Sequence, residues 1–360
     1  MNRKKQLNIS SDLTFMVLFV TVTAPIIAFF SYYFNLPFIE GKGAAPAVAS
    51  DAIHYYNFVN KYNNLEIFKF SSPETFGLKF PAHLYMLLDY NLINVLLCNV
   101  VLYYFIIYKF LKKTDNKLIF VLLHMSFLYL FGSFTPPNKE IGTVLSLLYF
   151  SYFIMFGGSW YLVLSLAISF TARLECMVFI GMASIYFKMF EYIDFKLRKP
   201  LHISAILSMV LVLSIVFGQY KATRRMEFEG AALISPLGGY TAVTELSYRG
   251  FLFFTFPFHM LWNLLGNLPH PQQTLRSLNN TLMYFSQFMH LILFIGCTIY
   301  RKVRITEIGV LFFFYVLAFS LSPTVIHRYV LPGYILLILI FCFDEDNLNG
   351  FSKFKIHKYK

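Results

Sequence analysis

The chain has 360 residues, of which 58% are hydrophobic and only 13% charged. Soluble domains carry about 25% charged residues, so too few charges remain here to cover a water-facing surface, and a soluble enzyme is excluded. Apolar runs along nearly the whole length exclude disorder. The net charge of +12 comes from short basic clusters between those runs, which fits membrane anchoring and not nucleic acid.

A helix needs about 20 apolar residues to cross a bilayer. The first such segment is 13–34, behind Arg3, Lys4 and Lys5, a basic flank that puts the N-terminus in the cytoplasm. Ala47-Val48-Ala49 has the form of a signal-peptide cleavage site. The apolar stretch is too long and the triplet too far beyond it, so the segment reads as an uncleaved anchor. Span two is 84–108 and ends inside at Lys109, Lys112 and Lys113. Spans three to six are 118–131, 141–155, 160–171 and 176–190, the last three being short. Lys196, Arg198 and Lys199 follow, inside again, before span seven at 203–217.

The apolar stretch 251–265 is interrupted by Pro257, and a crossing there would put Arg301, Lys302 and Arg304 outside. It therefore reads as an interfacial or re-entrant helix pair on the outer face. Spans eight to ten are 282–300, 308–321 and 330–343, and the tail with Lys353, Lys355, Lys358 and Lys360 lies inside. More than half of the 30 Lys and Arg fall inside on this scheme, although the outer loops are longer. The expectation is an all-α polytopic membrane protein of about ten spans, with both termini cytoplasmic. It forms one membrane domain over 1–360, with 35–80 and 220–280 as extracytoplasmic loops. Cys98, Cys176, Cys297 and Cys342 lie in or beside apolar segments with no CxxC pair, so they read as small core residues.

Loops as long as those two are usually functional. Several stretches bring ionisable groups to the outer face. They are Asp51 with His54, Tyr55 and Tyr56; Lys139 with Glu140; Arg173 with Glu175; Arg224 and Arg225; and His327, Arg328 and Tyr329. Asp89 is expected a turn or two below that surface, inside span two. A transporter more often places polar groups near the midplane in broken helices, and a channel carries a polar stripe. A polar site at one interface suits a substrate with a lipid tail and an anionic head. Phosphate needs cationic donors, and arginine adds a bidentate fork; the available cations are Lys139, Arg173, Arg224, Arg225 and Arg328. Sugar transfer from phosphate needs a carboxylate to take the acceptor's proton, which singles out Asp51 and Glu140. The aromatic pair Tyr55 and Tyr56 suits stacking on sugar rings.

The loop Ser50-Asp51-Ala52-Ile53-His54-Tyr55-Tyr56 resembles the acidic motif that follows the first span in the glycosyltransferase-C superfamily. Pro137-Asn138-Lys139-Glu140-Ile141 resembles a segment of bacterial surface-polysaccharide polymerases. Ser169-Phe170-Thr171-Ala172-Arg173-Leu174-Glu175 resembles a short arginine motif between middle spans, and His327-Arg328-Tyr329-Val330-Leu331-Pro332 a final outer motif. In motif order and composition the chain resembles Wzy-type O-antigen or capsule polymerases of the bacterial inner membrane. That resemblance implies a glycosyltransferase-C-like fold and transfer of undecaprenyl-diphosphate-linked repeat units at the periplasmic face. It adds Asp51 and Glu140 as catalytic groups, Lys139 and the four arginines as carrier-binding, and His54, Tyr55, Tyr56, His327 and Tyr329 as sugar-binding. Membrane lipids and a chain-length regulator would be partners, and no nucleic acid. The chain departs from the pattern in one respect: no arginine is followed by glycine at the eleventh position, as in some such polymerases. A transferase using a polyprenyl-monophosphate sugar and a lipid-linked-sugar flippase are the rivals.

Each residue also has a plainer reading. Asp51 is a helix N-cap in that view, and His54 an interfacial polar group. Glu140 pairs with neighbouring Lys139, and Arg173 with Glu175. Arg328 snorkels to headgroups, Arg224 and Arg225 touch anionic lipid, and Asp89 packs between helices. The metal question stays open: carboxylates beside a diphosphate can hold Mg2+ or Mn2+. Arg173 and Arg328 can neutralise the same charge, and the number of outer cations favours no metal and no other cofactor.

Overall fold

The computed structural model describes residues 2–39, 84, 87–89, 91–134, 139–190, 200–205, 207–208, 211, 254–255, 257–258, 261, 264, 278–299, 306–320 and 330–350. Every regular element among them is a helix. In chain order these are α1 (Asn2–Ile39), α2 (Leu92–Leu111), α3 (Lys117–Ser126), α4 (Leu128–Ser133), α5 (Lys139–Phe156) and α6 (Ser159–Ala172). Then come α7 (Leu174–Phe190), α8 (Leu278–Ile299), α9 (Glu307–Ser320), α10 (Gly333–Cys342) and α11 (Glu345–Leu348). Four segments are long and apolar enough to cross a membrane: Ser11–Tyr32, Ile93–Leu111, Lys139–Phe156 and Thr281–Ile299. Helices α3, α6, α7, α9 and α10 are apolar but shorter. The all-helical, apolar build is that of a membrane protein.

Most boundaries fall within a few residues of the apolar runs, and several expectations are corrected. Span two starts at Leu92 and not at 84, because the Asn91 side chain accepts from the backbone N–H of Ile93 and Asn94 at 2.9 and 3.3 Å. An Asn placed there closes off a helix N-terminus. Asp89 precedes this cap with φ +55°, exposed in a turn, so it is not a half-buried group inside the span. Span four is not short: α5 runs the full Lys139–Phe156 and is the centre of the fold, 83% of its residues buried against 22% for the spanning part of α1. It packs against α2, α4, α6, α7, α9, α10 and α11.

The α5–α6 hairpin is the tightest pairing. Gly157 and Gly158 turn the chain with φ +78° and +92°, values that only glycine adopts freely. Small residues then let the two backbones close. Ser146 Oγ donates to the Gly142 carbonyl at 2.6 Å, and Ser165 Oγ donates across the hairpin to the Ser146 carbonyl at 2.8 Å. A methyl group at Gly142 would collide with Cβ of Ala172. Gly142-x3-Ser146 against Ser165-x3-Ser169 is the small-residue contact by which helices associate in lipid.

The two ends of α5 mark opposite ends of the bundle, about 27 Å apart for 18 residues. At its C-terminal end Phe156 meets Phe110, Phe343 and the Lys113 ammonium. Beside it Thr114 and Asn116 both donate to the Cys342 carbonyl, Lys117 pairs with Asp12 at 3.1 Å, and the Glu307 N–H reaches Asn349. The starts of α3 and α9 and the ends of α2, α5 and α10 therefore share one end. Glu140 and Arg173 mark the other.

Expected span three is two helices, broken at Phe127 (φ −83°, ψ +67°). The break lies about 15 Å along from Lys117, roughly halfway up α5. Its loose backbone groups are met by side chains. Ser286 Oγ accepts from the Tyr129 N–H at 2.9 Å, and the Tyr334 hydroxyl donates to the Leu123 carbonyl and bonds Ser126 Oγ at 2.8 Å. Ser286, Gln287 and His290 of α8 are all buried, with the His290 ring against Tyr334.

Candidate functional site

Of the residues singled out by sequence, Lys139, Glu140 and Arg173 are described. Asp51, His54, Tyr55, Tyr56, Arg224, Arg225, His327, Arg328 and Tyr329 lie outside the described residues.

Glu140 sits in the first turn of α5, where a carboxylate complements the helix dipole. Arg173 is the extended residue (φ −150°, ψ 125°) between α6 and α7; its N–H bonds the Ser169 carbonyl, and its own carbonyl accepts from Cys176 and Met177. The Gly142–Ala172 contact draws these two points together. Arg173 Nη2 donates to Glu140 Oε1 at 3.0 Å, with the side chains only 8% and 6% exposed. Thirty-three positions separate them in sequence. Glu140 thus has a partner across the hairpin. Lys139, which precedes Glu140 in the chain, is half-buried, and Tyr315 of α9 lies within electrostatic range of both charges of the pair.

Here a buried guanidinium is paired with a carboxylate. Carboxylate and phosphoryl oxygens fit the same guanidinium fork. Tyr315 carries no signal in the sequence, being one aromatic in the run Phe312-Phe313-Phe314-Tyr315. The buried polar face of α8 was readable: Ser286, Gln287 and His290 fall on one side of a helix whose middle, 282–297, is otherwise apolar. Among the described residues no group of three or more His, Cys, Asp or Glu lies close enough to hold a metal. All four cysteines are free thiols. No family model, characterised protein or solved structure matches the chain.

Proposed function

We propose that the protein is a membrane glycosyltransferase acting on polyprenyl-linked sugars at the outer face of a bacterial inner membrane, with about ten spans and a glycosyltransferase-C-like fold. In this reading it polymerises undecaprenyl-diphosphate-linked repeat units into a surface polysaccharide. The observation that supports it is the buried Glu140–Arg173 pair at the end of the bundle away from the Asp12–Lys117 contact. A carboxylate and a guanidinium together are what transfer from a phosphate requires. The acceptor hydroxyl gives its proton to Asp51 or Glu140 as its oxygen bonds to the anomeric carbon. The bond from that carbon to phosphate breaks, and the electron pair leaves on the diphosphate. Arg173, with Arg328 and Arg224, steadies that charge. A single displacement inverts the anomeric carbon.

Purified protein given a lipid-diphosphate oligosaccharide should yield a ladder of longer glycans and release the lipid diphosphate. A single sugar added from a lipid-monophosphate donor would mean a decorating transferase instead. A second reading, a flippase for the same lipid-linked sugar, has its own support in the α3–α4 break and the buried polar side chains around it, since transporters place such features at mid-depth. Label crossing a vesicle bilayer with no new glycosidic bond would select that reading and reject the first.

A further inference from the structure

We propose that Tyr103 and His124 bind an internal water molecule between α1, α2 and α3, inside the bundle. The inference is independent of the sugar-transfer reading. Phe19 of α1, Tyr103 of α2 and His124 of α3 form a triangle of rings with centres 6.2–6.4 Å apart. All three side chains are fully buried. Tyr103 lies about 12 Å along α2 from Leu111, and His124 about 10 Å along α3 from Lys117, so both stand at one level well inside the bundle. His124 Nδ1 is 2.8 Å from the Phe120 carbonyl, which can only accept, so Nδ1 carries the hydrogen. In a neutral imidazole that leaves Nε2 as an acceptor, while the Tyr103 hydroxyl is a donor. Neither Tyr103 Oη nor His124 Nε2 has a hydrogen-bond partner among the described residues. Polar groups beside them are already matched: the Tyr104 hydroxyl bonds Thr23 Oγ1 at 2.7 Å, and Thr23 donates to the Phe19 carbonyl at 2.7 Å. A hydroxyl and a ring nitrogen left unpaired in an apolar interior carry a desolvation cost that a shared partner removes. That partner must accept from the hydroxyl and donate to the nitrogen, and water does both. A cation needs a counter-charge, and the one acid on α1, α2 and α3 is Asp12, about 10 Å along α1 from Phe19 and paired with Lys117. An anion would find a single hydroxyl donor.

The test uses the full chain in phosphatidylcholine nanodiscs and a pulse of X-rays. Radiolysis turns bound as well as bulk water into hydroxyl radicals, which oxidise the side chains they touch, and mass spectrometry reads the sites. Tyr103 and His124 should be oxidised despite their burial. Tyr149 is the control: it is equally buried, its hydroxyl donates to the Leu102 carbonyl at 3.0 Å, and it should stay unmodified. Tyr103→Phe keeps the ring and removes the donor, so oxidation of His124 should fall to the level of Tyr149. His124→Phe should likewise protect Tyr103. Protection of both residues in the unaltered chain overturns the proposal, and such protection with strong coupling between the two substitutions would mean a direct bond instead of water. Oxidation of Tyr103 that persists in His124→Phe, with Tyr149 still protected, overturns the sharing of one water. A variant in which Tyr149 becomes oxidised has lost its packing, and the unaltered chain then decides alone: both residues oxidised upholds the proposal, and either one protected overturns it.

Discussion

Withdrawing a guanidinium and a carboxylate from water costs several kcal/mol for each ion, and their attraction roughly repays it. The cost of breaking the Glu140–Arg173 pair is therefore larger than the pair's net worth. Arg173→Gln leaves a buried carboxylate without its counter-charge and should destabilise the protein by about 3–5 kcal/mol. Adding Glu140→Gln should recover most of that loss, since two neutral amides can bond each other. Denaturation of the single and double variants measures the coupling. A double variant whose loss equals the sum of the two single losses would mean the two groups act independently. This pairing was not legible in the sequence, which offers Lys139 and Glu175 as nearer opposite charges. The contact depends on how closely two helices approach, and no local pattern reports that distance.

At the scale of helices, the approach is set by glycine and serine. Gly142→Ala pushes a methyl into Ala172 and should cost about 1–3 kcal/mol while drawing Glu140 away from Arg173. The exchange Gly142→Ala with Ala172→Gly keeps the total volume and should restore most of the stability. Failure of the double variant to recover would show that the space matters on one helix only. The α3–α4 break gives a second prediction. Ser286→Ala removes the acceptor for the Tyr129 N–H and should cost about 1 kcal/mol in a membrane, with faster hydrogen exchange confined to the start of α4. An unchanged exchange rate at Tyr129 would remove the capping role. Helix positions were legible because unbroken apolar runs record them directly, and α6 and α9 fall within a residue or two of the expected spans. The break was not legible, because Phe127 interrupts a run that remains apolar on both sides and carries no proline or glycine. Its cause is the tertiary competition of Tyr334 and Ser286 for backbone groups that an intact helix would have satisfied itself.

At the scale of the whole molecule, alternating helix directions give the bundle two chemically different ends. One gathers Lys112, Lys113, the Asp12–Lys117 pair and the carbonyl end of α10; the other holds Glu140 and Arg173. The sign of the first end was readable as clustered lysines, but its closure by Thr114, Asn116 and Asn349 needed the chain folded. Because α2 runs from Leu92 to Leu111, exposed Leu87 lies toward the Glu140 end and exposed Lys112 at the other. In a Cys98→Ser background, with the remaining thiols buried, Leu87→Cys and Lys112→Cys should react with an impermeant maleimide from opposite sides of the membrane. Basic flanks face the cytoplasm, so Lys112→Cys should label only in inside-out vesicles and Leu87→Cys only in intact cells. Reversed labelling would turn the Glu140–Arg173 pair toward the cytoplasm and remove periplasmic sugar transfer. Labelling of both from one side would contradict α2 as a crossing, and with it the alternation that separates the two ends.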